Sequence, residues 1–254
     1  MNFEKIADLV KDAGRIVELG GLKEKIQVKN DESFVTEVDI QINNFLKEKL
    51  NEIDPRIGFF SEEEKGELTD PCWILDPIDG TTNLIYGYNM SSVSLALYMG
   101  GEIKYGVVHN PFSGETFIAE KNKGAYLGDK KLRISSRTLS ESIVEFGAGS
   151  SRKKDADANF EIAKTIFKSC RDIRRICSSA LVLCYIADSR IDGYFERVLK
   201  PWDIAAGSLI LSEAGGVITN YEGEKIQFEV QTSAIASNGI IHEFLKDTIK
   251  AVGC

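Results

Sequence analysis

The spacing of apolar residues changes at Asp54-Pro55, and that change limits the folds open to this chain. Before it the period is helical. Phe3, Ile6, Val10, Ala13 and Val17 recur every three or four residues. Ile42, Phe45, Leu46, Leu50 and Ile53 repeat the pattern, broken only by Lys49. A polar link from Lys23 to Ser33 lies between them. Pro55 pushes Asp54 out of the α region and closes the second helix. Short apolar runs follow: Ile57 to Phe60, Cys72 to Leu75, Ser92 to Met99, Ile103 to Asn110 and Glu115 to Glu120 read as strands. Gly124 to Lys130 reads as a further hairpin. Beyond about residue 140 strands (142–146, 172–176, 192–196, near 217, 234–237) alternate with helices (155–168, 178–188, 202–214, from 240). The pattern predicts an α+β chain, with a mainly antiparallel central sheet and then an α/β stretch. We expect one unit over 1–254, with an N-terminal α+β half to about 140 and a C-terminal α/β half from about 141.

Composition removes several functional classes. A net charge of −8 argues against nucleic acid and anionic lipid as partners, because both call for a basic face. No apolar run approaches the length of a membrane span, and Glu4, Lys5, Asp8 and Lys11 do not make a secretory leader. Five cysteines with no C-x-x-C pair read as reduced, mostly buried thiols, so a cytoplasmic protein is expected. With only His109 and His242, any metal must sit among oxygens. A phosphate substrate remains open if a cation supplies the missing positive charge.

The chemistry concentrates in Trp73-Ile74-Leu75-Asp76-Pro77-Ile78-Asp79-Gly80-Thr81-Thr82-Asn83. Asp76 closes an apolar strand, and Pro77 fixes the backbone so that Asp76 and Asp79 can converge. Gly80 allows close approach of the backbone, and Thr81-Thr82 look like a helix start with exposed N–H groups. Two carboxylates beside such a terminus suit a cation and a phosphate together. Asp-Pro or Asp-Gly alone would be an ordinary turn. Likewise Glu62 to Glu64 alone would be a solvated acidic face, and Asp203 alone a first-turn acid serving the helix dipole.

The full string D-P-I-D-G-T resembles the first signature of the inositol monophosphatase family, within the magnesium-dependent, lithium-sensitive phosphatases. Trp202-Asp203-Ile204-Ala205-Ala206-Gly207, followed by Glu213-Ala214-Gly215-Gly216, resembles the second. Phe60-Ser61-Glu62-Glu63 and Val35-Thr36-Glu37-Val38-Asp39 complete the set in the family's order, and the resemblance runs from about residue 5 to 250. It implies a layered α-β-α-β-α sandwich and a homodimer.

The resemblance also implies roles. Glu62, Asp76 and the Ile78 carbonyl would hold one Mg2+, and Asp76, Asp79 and Asp203 a second. A third, weaker Mg2+ would sit near Glu62. The Gly80 and Thr81 amides would cradle phosphate. A metal-bound water, oriented by Glu62 and by Thr81 backed by Asp39, would attack in line without a phosphoenzyme. Asp79, Ser179, Glu196 and Asp203 would face the substrate. Trp202 reads as a packing anchor.

Three departures stand out, the first two bearing on the third metal and the last on the substrate. Ser33-Phe34 precede Val35 where the family usually has an aspartate, and Lys29 is the nearest counterpart of its mobile-loop lysine. Cys177-Ser178-Ser179-Ala180 replaces the family's Gly-Ser/Thr-Ala-Ala, adding a hydroxyl at Ser179. Arg174 and Arg175 could pair a second phosphate, but read better as surface arginines ending a strand. Inositol 1-phosphate is the first expected substrate. Fructose 1,6-bisphosphate, histidinol phosphate and NADP are alternatives, and Thr82-Asn83 argues against the D-G-T-K-E nucleotide branch. The alternative of another class is a protein-binding module of the transcription machinery.

Overall fold

The computed structural model describes residues 1–19, 26–29, 33–64, 66–148 and 153–252. Helices α1 (Phe3–Leu19) and α2 (Glu37–Ile53) occupy the two stretches of helical period. Their apolar stripes are buried together: Ile6, Val10, Ala13, Ile42, Leu46 and Leu50 meet Trp73, Leu75, Leu95 and Val107 of a sheet. The Phe3 ring stacks on Tyr105, with centroids 4.3 Å apart.

The stretch read as a polar link holds structure of its own. β1 (Ile26–Lys29) pairs antiparallel with β2 (Ser33–Thr36). Strand pairing satisfies backbone N–H and C=O groups whatever the side chains are, and the alternation Ile26-Gln27-Val28-Lys29 is too short to stand out beside the polar Asn30-Asp31-Glu32 that follows it. Beyond their backbone pairing, Lys29 and Ser33 to Val35 lie outside the described side chains.

The first sheet holds β3 (Gly58–Ser61), β4 (Cys72–Asp79), β5 (Ser92–Tyr98), β6 (Ile103–His109), β7 (Thr116–Glu120), β8 (Gly124–Leu127) and β9 (Lys130–Lys131), in that order. Only β3 and β4 are parallel; every other neighbouring pair is antiparallel. A short helix, α3 (Thr81–Ile85), interrupts the path from β4 to β5. The second sheet follows from β10 (Ile143–Phe146), α4 (Ala156–Phe167), β11 (Asp172–Arg174), α5 (Ser179–Ala187), β12 (Gly193–Leu199), α6 (Pro201–Glu213), β13 (Val217–Thr219), β14 (Thr232–Ser237) and α7 (His242–Val252). Its strand order is β11-β10-β12-β14-β13.

The layers run α-β-α-β-α. α5 and α6 lie between the sheets, where both sides are apolar; Ala180 to Ala187 are all buried. A helix covered on both sides needs no polar stripe. Gly106 makes this contact possible, since a Cβ there would sit 2.8 Å from the Ala206 carbonyl oxygen. Strand β12 separates the layers by alternation: Tyr194 belongs to the middle core, whereas Phe195 packs with Ile162, Ile166, Leu245 and Ile249 of α4 and α7. Among the described residues no helix is long and apolar enough to cross a membrane.

Candidate active site

The site is built where β4 turns into α3. Sequence reading ended this strand at Leu75, but it continues, fully buried, to Asp79. Asp76 pairs with Ser94 and Asp79 with Ser92, so one residue is taken up by an irregularity at Pro77-Ile78. Proline cannot donate to the ladder, and a bulge is where a sheet tolerates it. The slip brings two acids three residues apart into electrostatic contact. Gly80 then turns the chain with φ 90°, and α3 begins with no side-chain cap on its N–H groups. A Cβ at Gly80 would lie 3.0 Å from the Met90 carbonyl oxygen and 3.2 Å from that of Cys177.

Three other elements bring acids to this turn, and a fourth holds Asp79 there. Glu62 follows β3, its N–H donating to the Leu75 carbonyl at 3.3 Å. Asp39 stands in the first turn of α2 as part of a capping box: its Oδ2 accepts from the Thr36 N–H at 2.8 Å and the Thr36 hydroxyl at 2.5 Å. The Thr81 hydroxyl donates to the Ile78 carbonyl at 3.1 Å and lies 3.5 Å from Asp39 Oδ1. Asp203, in the first turn of α6, accepts the Lys200 N–H at 2.6 Å. The first-turn reading of Asp203 therefore holds, together with its place in the cluster. Asp79 is held by α5, accepting from the Ser178 hydroxyl (2.5 Å), the Ser179 N–H (3.2 Å) and the Ala180 N–H (2.9 Å).

Electrostatics show that these carboxyls share one space. Burial pushes Asp76 well above the carboxylate range, and Glu62, Asp79, Asp203 and Asp39 raise it further. Burial likewise raises Asp203, with added repulsion from Asp79, Glu62 and Glu196. Asp39 and Asp79 are both pushed up to about 6, in each case chiefly by burial. Asp76 is only 2% exposed, and its Oδ1 has no hydrogen-bond partner. Glu64, third of the acidic run, is instead engaged by Asn43 (2.9 Å) and Lys47 (2.6 Å).

The substrate-side residues form an adjoining network. Tyr194 donates to Glu196 at 2.5 Å, and the Ser179 hydroxyl lies 2.9 Å from the Tyr194 oxygen and 3.4 Å from Glu196. The hydroxyl that Ser179 adds thus has partners within the protein. Burial pushes Glu196 up to about 7, with Asp79 adding to the rise. Arg174 is exposed and bonds Asp172 and the Ile173 carbonyl; Arg175, also exposed, lies 5.8 Å over the Phe146 ring. Trp202 packs against Phe60, 5.2 Å between centroids. Of the cysteines, Cys72 and Cys184 are buried, Cys170 is half-buried and Cys177 is exposed; Cys254 lies outside the described residues.

Sequence reasoning missed four supporting residues: Asn83, Glu145, Ser178 and Tyr194. Glu145 carried a signal, an acid between apolar residues of a strand. The others are polar residues beside assigned positions and had none. A cavity of about 580 Å3, lined by Ile103, Leu209, Ile218 and Phe228 among others, contains none of the acids above. Here charge locates the site better than cavity size.

The donor set fits a hard divalent cation: all oxygen, mutually repelling, with one buried carboxylate oxygen unpartnered. Among the described residues no three acid, histidine or cysteine side chains already close on a common point.

Residues 3–253 match the model of the inositol monophosphatase family. The chain belongs to that family. It is 36% identical over 200 residues to the Nus factor SuhB of Pasteurella multocida, covering 77% of this chain and 75% of that one. It is 34% identical over 218 residues to the fructose-1,6-bisphosphatase/inositol-1-monophosphatase of Thermotoga maritima, covering 86% and 83%. The solved structure of a Thermotoga maritima inositol monophosphatase superposes with a TM-score of 0.91 at 30% identity, covering 98% and 97%. Inositol monophosphatases are Mg2+-dependent phosphatases with the layered fold described here.

Membership in a Mg2+-dependent family, with this titration pattern, gives a pH-dependent expectation. Asp39 and Asp79 move from an ordinary 3.8 to about 6 in the metal-free fold. Between those values the folded chain holds more protons than the unfolded one. The stability they contribute is complete below the lower value and is lost as pH rises through about 6. For each group the difference is worth roughly 3 kcal/mol. A cation that binds the ionised acids reverses this loss. The rise in Tm on adding Mg2+ is therefore expected to be larger at pH 8 than at pH 5, as read by scanning fluorimetry; equal rises would contradict it.

Proposed function

We propose that this chain is a Mg2+-dependent phosphomonoesterase acting on a small sugar or polyol phosphate, with inositol 1-phosphate the first candidate. The observation that carries the reading is the buried, self-repelling acid cluster at the start of an uncapped helix. Nothing basic lies within D-P-I-D-G-T, so a phosphate there needs cations. Glu62, Asp76 and the Ile78 carbonyl would hold one ion, the carbonyl using the lone pair that Thr81 leaves free. Asp76, Asp79 and Asp203 would hold a second, and a third, more weakly bound ion would sit near Glu62. Bound Mg2+ supplies positive charge for the phosphoryl oxygens and acidity for an attacking water.

The protein's own groups do the positioning. The Gly80 and Thr81 N–H groups would cradle the phosphate oxygens, and a glycine suits the φ of 90° and the close approach at that turn. The Thr81 hydroxyl, its hydrogen given to the Ile78 carbonyl and its oxygen 3.5 Å from Asp39 Oδ1, would offer a lone pair to an incoming water, and Glu62, just after β3, would orient that water. Glu196, Asp79, Asp203 and Ser179 face the polyol, accepting its hydroxyl hydrogens. Gly147 leaves room for Glu196, since a Cβ there would fall 2.0 Å from its Oε2.

The relative named for both fructose-1,6-bisphosphatase and inositol-1-monophosphatase favours dual specificity as a second reading. The SuhB-named relative supports a transcription-linked binding role as a third. A panel of inositol 1-phosphate, fructose 1,6-bisphosphate, histidinol phosphate and NADP at fixed Mg2+ separates them. Release from inositol 1-phosphate is expected, and silence across the panel would defeat the phosphatase reading.

Glu196→Gln keeps shape but weakens the acceptor. It is expected to lower kcat/KM about 10-fold on inositol 1-phosphate, as loss of one charged hydrogen bond would. p-Nitrophenyl phosphate, which has no hydroxyl to offer, should be nearly unaffected. Ser179→Ala frees Glu196 from one internal partner and should raise the ratio of activity on inositol 1-phosphate to that on fructose 1,6-bisphosphate. Unchanged ratios in both variants would place these residues outside the substrate pocket.

A further inference from the structure

Glu145 is a buried acid that takes no part in the roles above and, unlike buried Asp188 and Asp192, has no Lys or Arg ion pair among the described residues. Glu145 sits in the middle of β10 and is 1% exposed. Its register partner on β12 is Tyr194. Glu145, Tyr194 and Glu196 therefore emerge on the same face of the second sheet, the face toward α5. Glu145 Oε1 accepts the Ile176 N–H, and a longer bond from the Cys177 N–H at 3.4 Å. Its Oε2 has no hydrogen-bond partner. Burying a carboxylate in this way is costly unless it is needed.

Ile176 and Cys177 form the turn from β11 into α5, and other parts of the site grip the same turn. Asn83, in α3, donates through Nδ2 to the Ile176 carbonyl at 2.7 Å and to the Met90 carbonyl at 2.7 Å. The Cys177 carbonyl closes over Gly80 at the contact already noted, and Cys177 itself has φ 62°. One residue further on, Ser178 and Ser179 hold Asp79. Glu145 supplies the support from the second sheet, and Asn83 the support from the first.

We infer that Glu145 is a positioning residue. By fixing Ile176 and Cys177 it sets the spacing between the substrate-side end of α5 and the phosphate cradle at Gly80-Thr81. A substrate whose phosphate lies in the cradle then meets α5 and Glu196 with its hydroxyls in register. This inference rests on the phosphatase reading. It assigns Glu145 no contact with metal or substrate. A substrate that spans both parts depends on the spacing, whereas one that occupies only the cradle depends on it far less.

The test uses the full chain with Mg2+ and two variants. Glu145→Gln keeps an acceptor for Ile176; Glu145→Leu removes it. Amide hydrogen exchange over 174–180 is measured beside kcat and KM on inositol 1-phosphate and p-nitrophenyl phosphate. In Glu145→Leu, exchange at Ile176 and Cys177 is expected to rise at least ~10-fold. kcat/KM on inositol 1-phosphate should fall about 10²-fold, the scale of a small misplacement of reacting groups. The fall on p-nitrophenyl phosphate should be clearly smaller, and Glu145→Gln should restore both readouts. Glu145→Leu with wild-type exchange and kinetics would overturn the inference, as would a Gln variant as impaired as Leu. If Glu145→Leu does not fold, Asn83→Ala releases the same turn from the other side. It must show the same selective loss, and equal loss on both substrates would overturn the inference. Wild-type protein inactive on both substrates would defeat the phosphatase reading instead, a result that does not involve Glu145.

Discussion

Asp76→Asn is expected to lower phosphate release by about 10²- to 10³-fold, the scale of losing ~3–4 kcal/mol of transition-state stabilisation. The Asp76 carboxyl responds to Glu62, Asp79, Asp203 and Asp39 together, and it is the ligand proposed for both ions. Asparagine keeps its shape while removing the charge that two cations would share. The same change should not unfold the protein. In the metal-free state Asp76 is buried among like charges, so neutralising it relieves repulsion. The Tm of the metal-free variant at pH 8 is expected to equal or exceed that of the wild type, and the Mg2+-induced rise to vanish. A variant that melts far lower, yet has full specific activity in its folded fraction, would make Asp76 structural instead.

The sequence revealed the layers unevenly, for physical reasons. α1 and α2 were legible because a one-sided helix leaves a 3.6-residue stripe. β5, β6 and β7 were legible from apolar runs between glycine-containing turns. The β1–β2 hairpin was hidden because each strand is only four residues long and the stretch between and before them is polar. The extension of β4 to Asp79 was hidden for another reason. Pro77 and two acids read as a loop, whereas the bulge at Pro77 lets the strand continue. The chemistry of Asp76, Asp79, Glu62 and Asp203 was legible only as a set, since each acid alone has an ordinary surface explanation. What surrounds them was not. That Ser178 holds Asp79, or that the Ser179 hydroxyl turns to Tyr194 and Glu196, depends on contacts between residues 15 to 99 positions apart. No local pattern records such distances.

The central claim is that this acid cluster works only around cations, and chelation tests it most directly. At neutral pH several buried carboxylates facing a phosphate dianion would repel it. With nothing basic inside the turn, the charge must come from bound metal. Protein stripped with EDTA and checked by elemental analysis should release essentially no phosphate from inositol 1-phosphate. Adding Mg2+ in excess of the chelator should restore release, and Li+ should inhibit the restored activity. Undiminished phosphate release from the metal-free protein would contradict the account.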